Sequence, residues 1–400
     1  MSINSVDPGH DLAEVILDWW QDQADDGHRP HLGASIIGHP CERHLWNTFH
    51  WVRRQSWEGR MLRLFDDGKR AEARFVQELK AIGCEVWADD GQGGQFRVSA
   101  LGGHFGGSVD AVLRGLPNDP QTAHVCEFKT SNDKAFKELV KKRVAEAKPM
   151  HYAQMQVYMG LMRLSHALYL VENKNDAALY TEIVAFDADA FARLLAKAER
   201  IIFAHEPPPR IADRADDLNC RYCHFAPLCH GQQTPEVNCR TCCHSTPVTD
   251  IQTGQGPVWT CNRAQAQTID LALQRRGCEQ HLYIPPLLRN VGDPVDGGEV
   301  SVTYRMPDGS EFVNGPPPGF SSIEIHRCEF KPMLSDPLVQ QLKQEFSTAR
   351  LLGAKALVDM PNDDLDQVPT KREHPKQAET KRRVRATLDA LISSTHNRVP

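Results

Sequence analysis

Apolar residues recur at helical spacing in several stretches of the chain, and each stretch predicts an amphipathic helix. The first stretch includes Leu12, Ile16 and Trp19, and a longer one over 60–83 ends at Gly83, a residue type that favours the end of a helix. Further helices are predicted over 133–164 with a break at Pro149, over 186–206 before a run of prolines, and over 336–356.

Shorter runs of strand-like composition lie between these helices, separated by clusters of Gly, Asn, Asp and Pro. They cover residues 84–88, 95–100, 103–115, 123–131, 166–173 and 179–186. This order of helix, strands, helix, strands and helix predicts one α/β domain. More strand-like runs around a proline-rich loop, between 298 and 331, predict a small C-terminal α+β extension.

Length and composition predict a chain of several parts. It has 400 residues, of which 40% are hydrophobic, so it can bury a sizeable core. The parts that we predict are an N-terminal helix and linker (1–30), an α/β domain (31–232), a cysteine-rich module (233–285), a small α+β domain (286–360) and a basic polar tail (361–400).

Charge and hydropathy exclude some classes of protein. With 46 Lys and Arg against 52 Asp and Glu, the net charge is −6, which excludes a uniformly basic protein but allows a local basic groove. No apolar run reaches the roughly 18 residues of a membrane span. The N-terminal residues lack the basic and apolar regions of a signal peptide. We therefore expect an intracellular protein without a membrane partner.

Acidic residues and a lysine lie in two neighbouring strand-like runs. Glu127 and Lys129 fall on one face of a predicted strand because side chains alternate along it. Asp110, on the run before, adds a second carboxylate if the two strands pair. Such a group can hold Mg²⁺ or Mn²⁺, and a lysine beside it can orient a water molecule for phosphodiester hydrolysis. The alternative is a solvated strand face, and we interpret a second Glu-x-Lys triplet, 329–331, as a surface feature without function.

Two more motifs flank this group. Glu72 follows Gly68 by four residues on a predicted helix, and Gln154 and Tyr158 lie four apart on one face of another. Glu72 could equally be a solvent-exposed residue, and Tyr158 could belong to the core.

The order G-x-x-x-E, G-x-x-D, E-x-K and Q-x-x-x-Y resembles the RecB-like branch of the PD-(D/E)xK nuclease superfamily over about residues 35–230. The resemblance implies an α/β restriction-endonuclease-like core, a mixed central sheet flanked by helices. It implies that the metal ligands are Glu72, Asp110 and Glu127 and that Lys129 is catalytic. It also implies that Gln154 and Tyr158 contact the nucleic-acid strand or support the site. This family often has His where the chain has Glu72.

Cysteines are unusually frequent for a reducing compartment, and most of the 12 lie between Cys220 and Cys278. Cys220-x2-Cys223-x5-Cys229 needs a fourth metal ligand, for which Cys41 is the candidate. One early cysteine and a late C-x2-C-x5-C resemble the iron–sulfur members of the nuclease family, among them CRISPR-associated and AddB-type proteins. This resemblance implies a [4Fe-4S] cluster that ties the two ends of the domain together; zinc at the same thiolates is the alternative.

A second set of cysteines has the spacing of a zinc site. Tetrahedral zinc needs four ligands, and we predict Cys239, Cys242, Cys261 and Cys278, with Cys243, His244 and His281 as substitutes. The cysteine-rich module would then be metal-stapled, and we favour a structural role over a binding role for it. Cys84, Cys126 and Cys328 are predicted to be ordinary buried thiols.

Together these features predict a Mg²⁺- or Mn²⁺-dependent deoxyribonuclease, an exonuclease acting on single-stranded DNA or DNA ends. This activity fits a role in replication, recombination or repair, and a phage origin is compatible with it. We expect the protein in the cytoplasm of a bacterium or of a phage-infected host, with a helicase or recombination protein as a partner. The chain has no G-x-x-x-x-G-K-[ST] motif to drive unwinding itself. The alternative is a catalytically silent protein that binds nucleic acid or a partner on the nuclease scaffold. A redox role is disfavoured because no G-x-G-x-x-G motif accompanies the cysteines.

Overall fold

A computed structural model of the protein describes residues 11–24, 28–89, 94–231, 233–249 and 256–346. The predicted basic tail (361–400) and the end of the helix predicted over 336–356 lie outside these residues. None of the described helices is both long enough and apolar enough to cross a membrane. The described residues after position 10 belong to one compact unit.

The helices largely follow the predicted periodicity. They are α1 (Leu12–Asp22), α2 (Glu42–Phe49), α3 (Gly59–Ala81), α4 (Asp133–Ala147), α5 (Pro149–Met162), α6 (Ala188–Ile202), α7 (Ala226–Cys229), α8 (Leu271–Arg276), α9 (Ser322–Arg327) and α10 (Pro337–Glu345). Short 3₁₀ helices cover Ala34–Ile36, Leu101–Gly103, Cys239–Thr241, Asn262–Ala264, Pro285–Leu288 and Lys331–Ser335. The break between α4 and α5 falls at Pro149, as predicted, because proline lacks the N–H that would continue the helical hydrogen bonds.

The strands form several separate sheets. They are β1 (Leu32–Gly33), β2 (Glu85–Trp87), β3 (Phe96–Ala100), β4 (Phe105–Val109), β5 (Ala111–Arg114), β6 (His124–Ser131), β7 (His166–Asn173), β8 (Leu179–Ala185), β9 (Ser245–Val248), β10 (Val258–Cys261), β11 (Gln267–Thr268), β12 (Asp293–Gly297), β13 (Val302–Arg305) and β14 (Glu311–Asn314).

The central sheet is mixed and has the order β2-β5-β6-β7-β8. Strands β6 and β7 are parallel, and their neighbours are antiparallel to them. Side chains of β6 alternate between two cores: Val125 faces the larger core with α5, and Phe128 packs against Phe75 of α3 on the other face. The predicted α/β core, a mixed sheet flanked by helices, is therefore confirmed.

The run predicted as a single strand over 103–115 is divided, which corrects the prediction. Strand β4 pairs with β3 and β1 in a small sheet of its own, whereas β5 joins the central sheet. Asp110 lies at the bend between them rather than within a strand. The bend places its carboxylate beside β6, where Oδ2 accepts a hydrogen bond of 2.8 Å from the Phe128 N–H.

The later part of the chain forms two small antiparallel sheets, β9–β11 and β12–β14. Trp259 of β10 and Ile284 belong to the larger core of the α/β domain, so the cysteine-rich part packs directly on that domain. The strand expected after the proline-rich loop is wrong in part, because residues 322–327 form α9. Ser321 and Glu324 build a capping box there, which satisfies the free N–H groups at the start of the helix.

Candidate active site

Glu127 and Lys129 lie on the same face of β6, as the alternation of side chains predicts. The Lys129 ammonium contacts Oε1 of Glu127, lies 4.0 Å from Oδ2 of Asp110 and donates a hydrogen bond of 2.9 Å to the Phe128 carbonyl. Glu127 is completely buried, and its Oε2 has no hydrogen-bond partner within the described residues. A buried carboxylate oxygen of this kind is costly unless a cation or a donor binds it.

Electrostatics ties Glu72 of α3 to the same group. Burial and then the charge of Asp110 raise the pKa of Glu72 to about 6. Burial raises the pKa of Glu127 to about 8 against the opposing charge of Lys129, and burial also raises the pKa of Asp110. Burial works against the charge of Lys129, but Glu127 and Asp110 raise its pKa. Carboxylates that perturb one another in this way mark a candidate functional site.

Gln154 and Tyr158 lie beside this group on α5. The Gln154 amide donates a hydrogen bond of 3.1 Å to the Tyr158 hydroxyl, and both side chains are buried. Burial and the charge of Glu127 raise the pKa of Tyr158. Tyr158 packs over Gly107 of β4, where a Cβ would lie 2.7 Å from its hydroxyl oxygen. Tyr158 thus borders both the larger core and the carboxylates.

Two residues near the site were not identified from the sequence, namely His151 and Tyr169. His151 Nδ1 lies 2.6 Å from the Tyr169 hydroxyl, and Tyr169 pairs in register with Glu127 on the adjacent parallel strand. Burial and then the charge of Lys129 lower the pKa of His151 to about 3, so this imidazole is neutral. The spacing of three residues from His151 to Gln154 on α5 was the available signal, because such residues share a helix face.

The carboxylates lie near one another but do not form a complete metal coordination shell. Within the described ranges, no three His, Cys, Asp or Glu side chains converge closely enough to be recognised as a metal-binding group. Hard oxygen donors are nevertheless the ligands that Mg²⁺ and Mn²⁺ prefer. The orphaned Glu127 oxygen and the mutually raised pKa values fit a divalent cation at this position.

The first cysteine group (Cys41, Cys220, Cys223 and Cys229) lines one small cavity. Cys41 directly precedes α2, and the other members lie in the segment after α6 that ends in α7. Burial raises the pKa of Cys229, and the charges of Cys223 and Cys41 raise it further. All four side chains are free thiols, the ligand type of zinc and of iron–sulfur clusters, although within the described residues they do not converge into a recognised metal-binding group.

The members of the second cysteine group (Cys239, Cys242, Cys261 and Cys278) act on one another electrostatically, but within the described residues they do not converge into a recognised metal-binding group. Burial and then the charges of Cys242, Cys278 and Cys261 raise the pKa of Cys239 to about 12. His281, a predicted substitute ligand, instead places Nε2 3.1 Å from the Thr241 hydroxyl. The pKa of Cys242 is instead lowered, chiefly by its hydrogen bond with the Cys243 thiol. Thiolate sulfur is a ligand type that zinc takes, and zinc at these four cysteines stays a prediction.

The second Glu-x-Lys triplet is only partly on the surface as predicted, because Glu329 and Phe330 are exposed whereas the lysine is buried and has a structural role. Lys331 is buried, and its ammonium donates hydrogen bonds to the carbonyls of Ile325 (2.9 Å) and Cys328 (2.5 Å). These bonds secure the end of α9. Cys84, Cys126 and Cys328 are buried free thiols, as predicted.

Several solved structures share part of the fold at low similarity. The alkaline exonuclease LHK-Exo from Laribacter hongkongensis is 16% identical, with a TM-score of 0.33 over 46% of this chain and 90% of that chain. A structure of LHK-Exo in complex with dAMP gives the same identity and score over 89% of its length. SSO0001 is 15% identical, with a TM-score of 0.32 over 56% of this chain and 98% of that chain.

No curated protein matches the chain. A family profile does: the profile of the PD-(D/E)XK nuclease superfamily matches residues 10–230, which is more than half of the sequence. This range contains the carboxylates, the lysine and the first cysteine group. The chain belongs to the PD-(D/E)XK nuclease superfamily.

Proposed function

We propose that the protein is a Mg²⁺- or Mn²⁺-dependent deoxyribonuclease, an exonuclease that acts on single-stranded DNA or DNA ends. The observation that carries the proposal is the contact of Lys129 with Glu127, 4.0 Å from Asp110, at the bend between two sheets. Membership of a nuclease superfamily supports the hydrolytic reaction. Metal ions in such sites polarise the phosphate and make bound water acidic enough to attack it.

Each residue of the group has a distinct role in this proposal. Glu72, Asp110 and Glu127 would hold the metal ion. Lys129 would orient the attacking water and stabilise negative charge on the phosphate, because its ammonium is fixed between carboxylate and carbonyl oxygens. Gln154 and Tyr158 would contact the DNA strand or support the carboxylates, since their hydrogen bond lies beside Glu127.

We further propose metal at both cysteine groups. Cys41, Cys220, Cys223 and Cys229 would bind a [4Fe-4S] cluster of the RecB-like iron–sulfur branch. Cys239, Cys242, Cys261 and Cys278 would bind zinc with a structural role. Anaerobic purification, visible absorption and metal analysis test both assignments, with about four irons and one zinc expected for these ligand sets. Zinc alone would contradict the cluster.

Recombination, replication or repair is the setting in which such an activity would serve. The protein would act in the cytoplasm of a bacterium or a phage-infected host. A helicase or recombination protein would supply the unwound strand, because this sequence contains no nucleotide-binding loop of its own.

Cleavage of labelled single-stranded DNA, with and without Mn²⁺, tests the activity. We expect Lys129→Ala to lower kcat by on the order of 10²–10³, the usual loss when one charge-stabilising donor is removed. Lys80→Ala is the matched control, since Lys80 is an exposed lysine near the end of α3. Undiminished cleavage by Lys129→Ala would refute the assignment. Tight DNA binding without hydrolysis in any divalent ion would instead support the silent binding protein.

A further inference from the structure

An open groove of about 940 Å³ leads to the candidate active site. It runs along the small sheet β1-β4-β3, and its lining includes Gly107, Gln154 and Tyr158. The charge of Glu127 acts on Tyr158 from the side of the carboxylates. Tyr158 therefore lies between the groove and the carboxylates.

The groove is basic. Among the described residues that line it, none is acidic, whereas Arg29, Arg97 and His31 are present. Arg29 and Arg97 are exposed, and neither has an ion-pair partner in the part of the chain that the structure describes. Both are close to His31, whose pKa is lowered by burial and then by these two charges. A groove with unpaired arginines and no carboxylate attracts a phosphate backbone.

The cysteine-rich segment (residues 238–249 and 256–284) forms one wall of this groove. Gly256 and Pro257 are part of the lining. Gly103, at the rim of the small sheet, approaches them so closely that a Cβ would lie 2.8 Å from the Gly256 carbonyl carbon. His104 Nε2 lies 3.0 Å from the Val248 carbonyl oxygen and joins the same edge to β9.

Arg240, between two cysteines of the second group, holds the part of the rim that contains Arg29 and Pro30. Its guanidinium is fully buried and donates hydrogen bonds of 2.9 Å to the carbonyls of Pro30 and Phe49. It lies 3.6 Å from the centre of the Trp51 ring, and the Trp51 indole donates a hydrogen bond of 2.8 Å to the Arg29 carbonyl. The backbone that carries Arg29 is therefore held in place by the cysteine-rich segment.

We propose that this groove binds single-stranded DNA, that Arg29 and Arg97 contact its phosphates, and that the cysteine-rich segment serves as the wall that shapes it. The inference deepens the proposed nuclease function, since the groove would deliver the strand to the carboxylates. It also gives the cysteine-rich segment a definite role, because this segment forms a wall of the groove and, through Arg240, holds the rim that carries Arg29.

Binding of a fluorescent oligo-dT without added divalent ion tests the groove independently of cleavage. We expect the double variant Arg29→Gln/Arg97→Gln to bind about tenfold more weakly or worse at low salt, because charged hydrogen bonds to phosphate are lost. The slope of log K against log salt should fall by about 0.7 for each lost phosphate contact on a single strand. Arg193→Gln, an exposed arginine on α6 outside the groove, should leave both unchanged.

Unchanged affinity and unchanged salt slope in the double variant would refute the proposal that this groove binds DNA, whether or not the wild-type protein cleaves DNA. If binding depends on the arginines but the protein never cleaves DNA, the proposed DNA-binding groove is supported and the proposed nuclease activity is refuted. The two proposals can thus fail separately.

The wall is tested by a pair of glycine variants. Gly103 and Gly309 have the same φ of 87°, but a Cβ at Gly103 meets the backbone of the cysteine-rich segment whereas one at Gly309 meets nothing within 4 Å. Both substitutions place alanine at a positive φ that disfavours it. We expect Gly103→Ala to weaken oligo-dT binding at least threefold by displacing the wall, an effect of the size of a single lost hydrogen bond, and Gly309→Ala to leave it unchanged. Equal affinity of the two variants would overturn the role of the wall.

Discussion

At Glu127, burial and charge act in opposite directions. Burial raises the pKa of this carboxyl to about 8, so the folded protein binds a proton more tightly than the unfolded chain between about pH 4.5 and 8. The free energy of unfolding therefore falls as pH rises through this window. We expect Glu127→Gln to remove most of this slope above about pH 6.5, where the buried histidines no longer titrate. Urea unfolding at a series of pH values, without added divalent ion, measures it.

The wild-type protein supplies the control for that experiment. Mg²⁺ or Mn²⁺ should stabilise it more at pH 8 than at pH 5.5, because the metal competes with the proton for the same oxygens. Glu127→Gln should lose most of that stabilisation. Parallel pH profiles for the two proteins would contradict the raised pKa of Glu127.

Gly107 sets the position of Tyr158, and this can be tested by adding one methyl group. A Cβ there would lie 2.7 Å from the Tyr158 hydroxyl oxygen and 3.2 Å from its ring. We expect Gly107→Ala to destabilise the protein by about 1–3 kcal/mol, as overpacking does, and to lower kcat by displacing Tyr158. Tyr158→Phe removes the closest atom, so it should cost less in the Gly107→Ala background than alone.

Chemical unfolding and cleavage assays measure both effects as a double-mutant cycle. Gly298→Ala is the control, because a Cβ at Gly298 meets nothing within 4 Å. Additive effects of the two changes would show that Gly107 and Tyr158 do not constrain each other.

At the scale of elements, hydrophobic periodicity was sufficient to predict a helix or strand wherever one face of that element is buried. The pattern over 60–83 predicted α3, and Pro149 predicted the break between α4 and α5. It failed at Asp110, because apolar alternation continues unbroken while the chain leaves one sheet for another. Helix α9 was missed although Ser321-x2-Glu324 carries its capping signal, because the flanking residues resemble a strand.

Gly68 of α3 gives a prediction at this scale. A Cβ at this position would meet nothing within 4 Å, so packing does not require glycine there. We expect Gly68→Ala to stabilise the protein by about 0.5–1 kcal/mol, since alanine loses less backbone entropy in a helix. The midpoint of urea unfolding measures this change. A lower midpoint would mean that α3 has contacts at Gly68 that the structure does not show.

At the scale of the whole molecule, the sequence did not predict what the cysteine-rich segment connects. The spacing of Cys239 and Cys242 predicted a metal site, and this stays a prediction. Nothing in the pattern indicated that Arg240 would reach Pro30 and Phe49, about half the chain away. Such long-range contacts depend on how helices, strands and loops pack against one another, and local periodicity carries no information about that packing.

The first cysteine group offers the corresponding test of the whole molecule. Cys41 precedes α2, whereas its three companions follow α6, so a cluster bound by all four would join the two ends of the α/β domain. We expect Cys41→Ser to lose the iron absorption and to lower stability by about 2–5 kcal/mol, the usual cost of removing a covalent cross-link. Iron content, visible absorption and urea unfolding of anaerobically purified protein measure this.

Cys84→Ser is the matched control, because Cys84 is a buried free thiol whose sulfur donates to the Gly115 carbonyl and does not line the cavity of the first cysteine group. It should keep the full iron content even if it loses some packing energy. Equal iron content in the Cys41 and Cys84 variants would remove Cys41 from the ligand set and leave the C-x2-C-x5-C segment without a link to the start of the domain. Loss of iron with unchanged stability would instead show that the cluster is bound by an already rigid scaffold, since binding energy that is not folding energy leaves unfolding unaffected.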